Sequence, residues 1–309
     1  MLTEVSQQTY RKYFPNDPHP YLSEAFIGIV SHKADRIIRL MDESDHSLGL
    51  ILGVIGNKLY SPFSAPFGGF HYSHEFLIYD SISNFLEKLK IFIQDNKFKE
   101  MHITLPPDIY QNNMNAKLAN AFVRLGYEMK TPDITNWLNL HSFNGTWVYS
   151  KVGNRCRRAV RNKLRFEPAS DEHSKMEAFE LIRTNRLKQN REIHMNFDDL
   201  KAVEEIFPVD YFLIRDDAAH ATGAGIFYRG HDKVVQGIFM GDDLNKRDLG
   251  TIDFLYLNLY EHYKQAGFNF IDFGTSSQNG DPNVGLIRFK EIHNCETSLR
   301  HTFSMNRKD

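Results

Sequence analysis

The chain has 309 residues, enough for about two domains at about 150 residues each. Hydrophobic residues make up 41% and charged residues 25%, a globular composition that excludes a disordered chain. Lys and Arg number 37 against 39 Asp and Glu, so the net charge of -2 excludes a globally basic nucleic-acid coat but not a local basic patch. Cys156 and Cys295 are the only cysteines, which excludes a disulfide framework and a zinc cluster. Met1 to Phe14 is polar, and no apolar run reaches the roughly 20 residues of a membrane helix. The expected setting is a reducing cytoplasm.

In chain order, Ile37–Met41 predicts a strand, Asp42–Ser47 a turn, Leu48–Ile55 a strand and Gly56-Asn57 a tight turn, with a third strand from Lys58. The loop Ser61–Phe70 holds two Pro and the pair Gly68-Gly69, which permits close approach to a ligand; an ordered plugging loop is the simpler reading. Ile82, Phe85, Leu86, Leu89 and Phe92 predict a helix over about Ser81–Gln94. A strand Met101–Leu105, a helix Ala116–Leu125 and a strand Thr135–Leu140 follow. The boundary falls near His141–Gly145, giving domains 1–143 and 144–309. A basic helix runs from Thr146, its N-cap, to about Lys163. Strands Tyr211–Arg215 and Thr222–Tyr228, and a third from Lys233, lead to a helix Thr251–Ala266, then a strand Asn269–Phe273. A short helix near Leu286–Ile292 and a strand Ser298–Met305 complete the chain.

The two halves repeat. At a constant offset of 174, Asp42 falls on Asp216, His46 on His220, Gly49 on Gly223 and Gly56 on Gly230. The expected fold class is α+β, with a mixed sheet in each of two tandem copies. Three antiparallel strands, a helix, a strand, a helix and a last strand is an order that resembles the GNAT acyltransferase fold. Its duplication resembles the double-GNAT group that includes the Fem-type aminoacyltransferases of cell-wall bridge synthesis. The resemblance spans nearly the whole chain. It implies transfer of an activated acyl or aminoacyl group to an amine acceptor, with a cell-envelope precursor among the acceptors. The donor would be a coenzyme A thioester or an aminoacyl-tRNA.

Between Lys151 and Arg165 stand seven cations and no acid. Arg155, Arg158 and Arg161 are spaced to share a helix face, which suits substrate phosphates or a tRNA acceptor stem; the competing reading is a solvated face. Gly241–Thr251 precedes a helix N-terminus, where GNAT enzymes cradle the coenzyme A pyrophosphate on backbone amides. The resemblance assigns donor binding to Asn245, Lys246, Arg247, Gly250 and Thr251, although Ile252 stands where a second small residue belongs. That departure fits Fem-type relatives, which take their acyl group from aminoacyl-tRNA. Against direct tRNA use, the long helical hairpin of several Fem enzymes has no counterpart here.

Gly285 to Lys290 resembles the Fem Phe-Lys element, which implies that Lys290 stabilises charge during transfer. Tyr256, Tyr260, Asp272 and Glu291 are candidates by type for proton removal, and the catalytic set is Lys290, Tyr256 and Asp272. The 14 His residues do not cluster as metal ligands, so no metal is expected. Two other readings stand beside the transferase. One is a non-catalytic ligand-binding module that retains the GNAT fold. The other is an RNA-binding protein using the Lys151–Arg165 helix.

Overall fold

Strands and helices follow the hydrophobic periods of the sequence. The computed structural model describes residues 1–74, 76–191 and 193–307. In chain order its elements are β1 (Leu2–Glu4), α1 (Gln7–Tyr13), α2 (Glu24–Val30), β2 (Arg36–Asp42), β3 (Asp45–Ile55), β4 (Lys58–Ser61) and β5 (Phe70–Tyr72). Next come α3 (Tyr79–Asp95), β6 (Glu100–Thr104), α4 (Asp108–Arg124), β7 (Glu128–Met129), β8 (Asp133–Asn139), α5 (Ser150–Arg161), β9 (Arg165–Pro168), α6 (Glu172–Lys188) and α7 (Phe197–Glu204). The chain continues through β10 (Val209–Arg215), β11 (Ala221–Tyr228), β12 (Val234–Asp242), α8 (Thr251–Gln265) and β13 (Phe270–Thr275). It ends with β14 (Ser277–Gln278), β15 (Asp281–Pro282), α9 (Val284–Ile292), β16 (Glu296–Arg300) and β17 (Thr302–Asn306).

The chain divides into two compact units. Unit 1 is Met1–Ile134, Ser277–Pro282 and the segment from Ser298; unit 2 is Thr135–Ser276 with Asn283–Thr297. In unit 1 the sheet order is β1-β2-β3-β4-β6-β17-β7, with β5 also paired to β3. Its core joins Leu40, Leu50 and Leu52 of the sheet to Ile82, Leu86 and Leu89 of α3 and to Phe122 of α4. In unit 2 the order is β16-β8-β13-β12-β11-β10-β9. Phe212, Phe227 and Ile271 of that sheet pack on Leu255, Tyr256 and Leu259 of α8.

The repeat has a physical basis in the first hairpin of each unit. Asp42 accepts from Ser44 N–H at 3.2 Å, and Asp216 accepts from Ala218 N–H at 3.1 Å, the same Asx turn twice. Each carboxylate also takes a lysine, Lys88 in the first unit and Lys246 in the second.

Three expectations change. The strand expected over Ser298–Met305 is two strands, broken at His301; β16 joins the second sheet and β17 the first. The strand that ends the first half of the sequence, β8, pairs with β13 in the second sheet. The basic helix begins at Ser150 after Tyr149 rather than at Thr146, whose N–H instead donates to Asn144 at 3.0 Å. Since β17 lies between β6 and β7, with Phe303 fully buried and stacked on Phe122 at 4.5 Å, a chain ending at Arg300 is expected to lose the folding of unit 1. Loss of the matching cooperative transition in circular-dichroism melts, with unit 2 still melting, checks this.

Candidate functional site

In unit 2, β12 pairs with β11 from Tyr228 opposite Gln236 to Gly223 opposite Asp242. Its parallel pairing with β13 is much shorter, Val234–Gln236 against Phe270–Asp272. Beyond that point the two strands part. The register of β11 and β12 slips at Ile226/Phe227, leaving Ile238 as an extra residue, and such a bulge bends a strand out of its sheet. Gly237–Met240 are accordingly half-buried, although the residues before and after them on β12 are buried.

The apex of this fork is held by side chains. Gln236 Nε2 donates to Asp272 Oδ2 at 3.3 Å, and Asp272 Oδ1 accepts from Gly274 N–H at 2.8 Å. Gly274 has φ 70°, a left-handed turn that redirects the end of β13. There Lys290 Nζ donates to Gly274 O at 2.8 Å and Thr275 O at 3.2 Å. Lys290 projects from α9, whose N-cap Asn283 accepts from Leu286 N–H at 3.0 Å. It is 3% exposed, and burial lowers its pKa to about 8; Cys295 and Asp272 resist that shift and Arg186 of α6 adds to it. Tyr256 is stacked on Phe273 at 4.9 Å and buried, and burial raises its phenol pKa well above the ordinary value. The structure thus gathers Lys290, Asp272 and Tyr256 around β13. Gln236 and the carbonyls of Gly274 and Thr275 are additions the sequence did not signal.

The donor-binding candidates lie in and after a 3-10 turn, Leu244–Leu249. Asn245 N–H donates to Asp243 at 3.0 Å, and Lys246 is bonded to Asp216 at 2.7 Å. Arg247 is 58% exposed at its side chain, with Nε 3.4 Å from Asp242. Asp242 is also held by Asn185 of α6 at 2.9 Å, and burial raises its pKa. Gly250 has φ 82°, but a Cβ there would lie 2.4 Å from the carbonyl oxygen of Arg155. This glycine serves the packing of α5 on the start of α8, and Thr251 beside it is 1% exposed. The side of Gly250 that a Cβ would occupy is therefore covered by α5.

The three arginines separate. Arg155 makes a two-armed pair with Asp253 of α8, Nε and Nη2 both at 2.7 Å. His293 Nε2 lies 3.1 Å from the same carboxylate. Burial works against the Asp253 charge, but hydrogen bonds from His293 and Arg155 outweigh it and hold the carboxyl below its ordinary pKa. Arg158 is half-buried, with a buried Nε that makes no hydrogen bond among the described residues, and Arg161 is exposed.

The corresponding region of unit 1 is closed. β4 pairs with β6 from Lys58 to Ser61, and the chain then inserts Pro62–Gly69 before resuming as β5. Gly68 N–H donates to Thr104 O at 2.9 Å at the end of β6, and His19 Nε2 is 2.9 Å from Gly68 O. Asn115 Nδ2 of α4 donates to the carbonyl of Pro106 at 2.7 Å.

A mixed sheet with one parallel strand pair, built twice in one chain and forked in the second copy, is a tandem GNAT-like fold. No protein-family model and no curated protein sequence matches the chain. Solved structures do match over almost its whole length. FemX aligns at 9% identity and a TM-score of 0.70, covering 99% of this chain and 97% of FemX. L-PGS from Bacillus licheniformis aligns at 10% and 0.62, covering 99% and 94%. A tandem GNAT protein from the clavulanic acid biosynthesis pathway aligns at 9% and 0.55, covering 100% and 99%. The fold is therefore the tandem GNAT fold that these structures share. Among the described residues no helix is long and apolar enough to cross a membrane, and no three His, Cys, Asp or Glu side chains gather as a metal site.

Proposed function

We propose that the chain is an acyl or aminoacyl transferase in which the second copy carries the chemistry. The observation that supports this is the open fork between β12 and β13, with the Lys290 ammonium against its wall. An acyl carbonyl enters the fork, and the nitrogen of an amine acceptor attacks its carbon. A C–N bond forms and the carbonyl oxygen becomes an oxyanion. Collapse breaks the C–S or C–O bond to the donor, and the proton lost by the amine balances the leaving thiolate or alkoxide. An ammonium has three N–H groups, and two of those on Lys290 go to Gly274 O and Thr275 O. The third is the donor we assign to the oxyanion, preorganised and partly desolvated, where such a contact is strongest. Asp272 acts through the backbone by holding the fork, and Tyr256 stays protonated as part of its packing.

The covered glycine at 250 favours an ester or carrier-bound donor over coenzyme A held at the α8 turn. Aminoacyl-tRNA is the ester donor that the Fem resemblance implies, with a cell-envelope amine as acceptor. The first copy, whose Gly68 N–H closes onto Thr104 O at the end of β6, shapes acceptor binding. Transfer measured with panels of aminoacyl-tRNA and acyl-coenzyme A donors tests the reading; ester donors are expected to be used and coenzyme A thioesters not. The same covered turn is the observation that favours a non-catalytic module. Calorimetry showing tight binding of an envelope precursor, with no turnover of any donor, would establish that alternative.

A further inference from the structure

α5 turns two unlike faces to its surroundings. Val152, Cys156 and Ala159 are buried, and Arg155 is tied to Asp253. The segment leading into the helix is fixed as well. Val148 N–H donates to Asn294 Oδ1 at 3.1 Å, and Asn294 Nδ2 donates to Thr146 O at 2.9 Å. Trp147 packs inward, 5.2 Å from Phe143 and 5.7 Å from Tyr260. With Trp147 inside, its neighbours stand out: Val148 is 77% exposed and Tyr149 53%. Val160, at the other end of α5, is 61% exposed. Around these apolar groups Lys151, Arg157 and Arg161 are all exposed, and the ion pairs of the segment fall on Arg155 and Lys163 instead. No acid occurs from Tyr149 to Phe166, in a chain whose net charge is -2.

From this we infer that the outer face of α5 docks the protein on an anionic membrane surface. The cations supply attraction to acidic headgroups. Tyr149 offers an aromatic ring with a polar tip, the combination favoured at the membrane–water boundary, and Val148 and Val160 add aliphatic surface that gains by leaving water. RNA would use the same cations but gains nothing from two exposed valines, so the apolar groups decide between the two polyanions. The inference is independent of the transferase reading, because docking needs neither donor nor acceptor.

Co-sedimentation of the full chain with phosphatidylcholine vesicles, with and without phosphatidylglycerol, tests it, with bulk tRNA binding measured alongside. Partition onto the anionic vesicles and its loss at high salt are expected. The pair Arg157→Gln and Arg161→Gln is expected to weaken partition roughly 25-fold, about fivefold per cation. Val148→Ser with Tyr149→Ser is expected to weaken it further while leaving tRNA binding unchanged. The substitutions lie at exposed positions, and an unchanged melting curve confirms folding. The inference is overturned if anionic vesicles are not bound, or if neither pair alters partition. It is equally overturned if the arginine pair abolishes tRNA binding while vesicles bind poorly, which would assign the face to RNA.

Discussion

Lys290→Met is expected to lower the rate constant of acyl transfer by about 10²–10³-fold with little change in donor affinity, the size seen when one oxyanion donor is removed. Met keeps the volume of the side chain and removes the charge. The pH profile gives a second readout. If the ammonium is the working form, transfer falls as pH rises through about 8, where Lys290 loses its proton. Stability moves the other way over that window. The unfolded chain holds this proton more tightly than the folded one, so the cost of burying the charge disappears as pH climbs from about 8 toward the ordinary lysine range. The difference in unfolding free energy between wild type and Lys290→Met isolates this effect from other groups. Transfer that rises through the same window would make the neutral amine the working form and Lys290 a base.

Arg155→Ala is expected to destabilise unit 2 by about 3 kcal/mol, because it leaves the buried Asp253 carboxylate without its guanidinium partner. The Arg155 side chain is 31% exposed, which keeps the effect at the low end for such pairs. Asp253 retains the 3.1 Å contact with His293, which does not replace the two-armed guanidinium. Urea unfolding of the variant measures the cost. A substrate-binding role for Arg155 predicts the opposite pattern, near-normal stability with a raised KM.

Arg155, Arg158 and Arg161 do not share one face of α5. Spacings of three residues look like one face, but at about 100° per residue six positions turn the helix by a net angle of about 120°. That is enough for Arg155 to meet Asp253 on α8 while Arg161 stays in solvent. The central strands of each copy were legible because Asp42 and Asp216 close the same Asx turn between apolar runs. The starts of α1, α2, α6 and α7 are written in their capping residues Ser6, Ser23, Asp171 and Asn196, the last in a capping box with Asp199. The strand exchange was not legible. Alternation tells which face a residue takes but not which sheet it joins, and β17 pairs with strands about 200 residues earlier in the chain. The fork depends on a bulge at Ile238 and on carbonyls at Gly274 and Thr275, backbone features with no side-chain signature. Lys290 was visible through its Phe-Lys neighbour, but the carbonyls that hold it were not.

The most direct test is a crystal structure with a stable aminoacyl-ester analogue, its ester replaced by an amide on a 3′-aminoadenosine. The acyl carbonyl is expected between Gly237–Met240 of β12 and Gly274–Thr275 of β13, with its oxygen within hydrogen-bond reach of Lys290 Nζ. Density for the analogue only elsewhere in the molecule, or none in that fork at saturating concentration, would contradict the account.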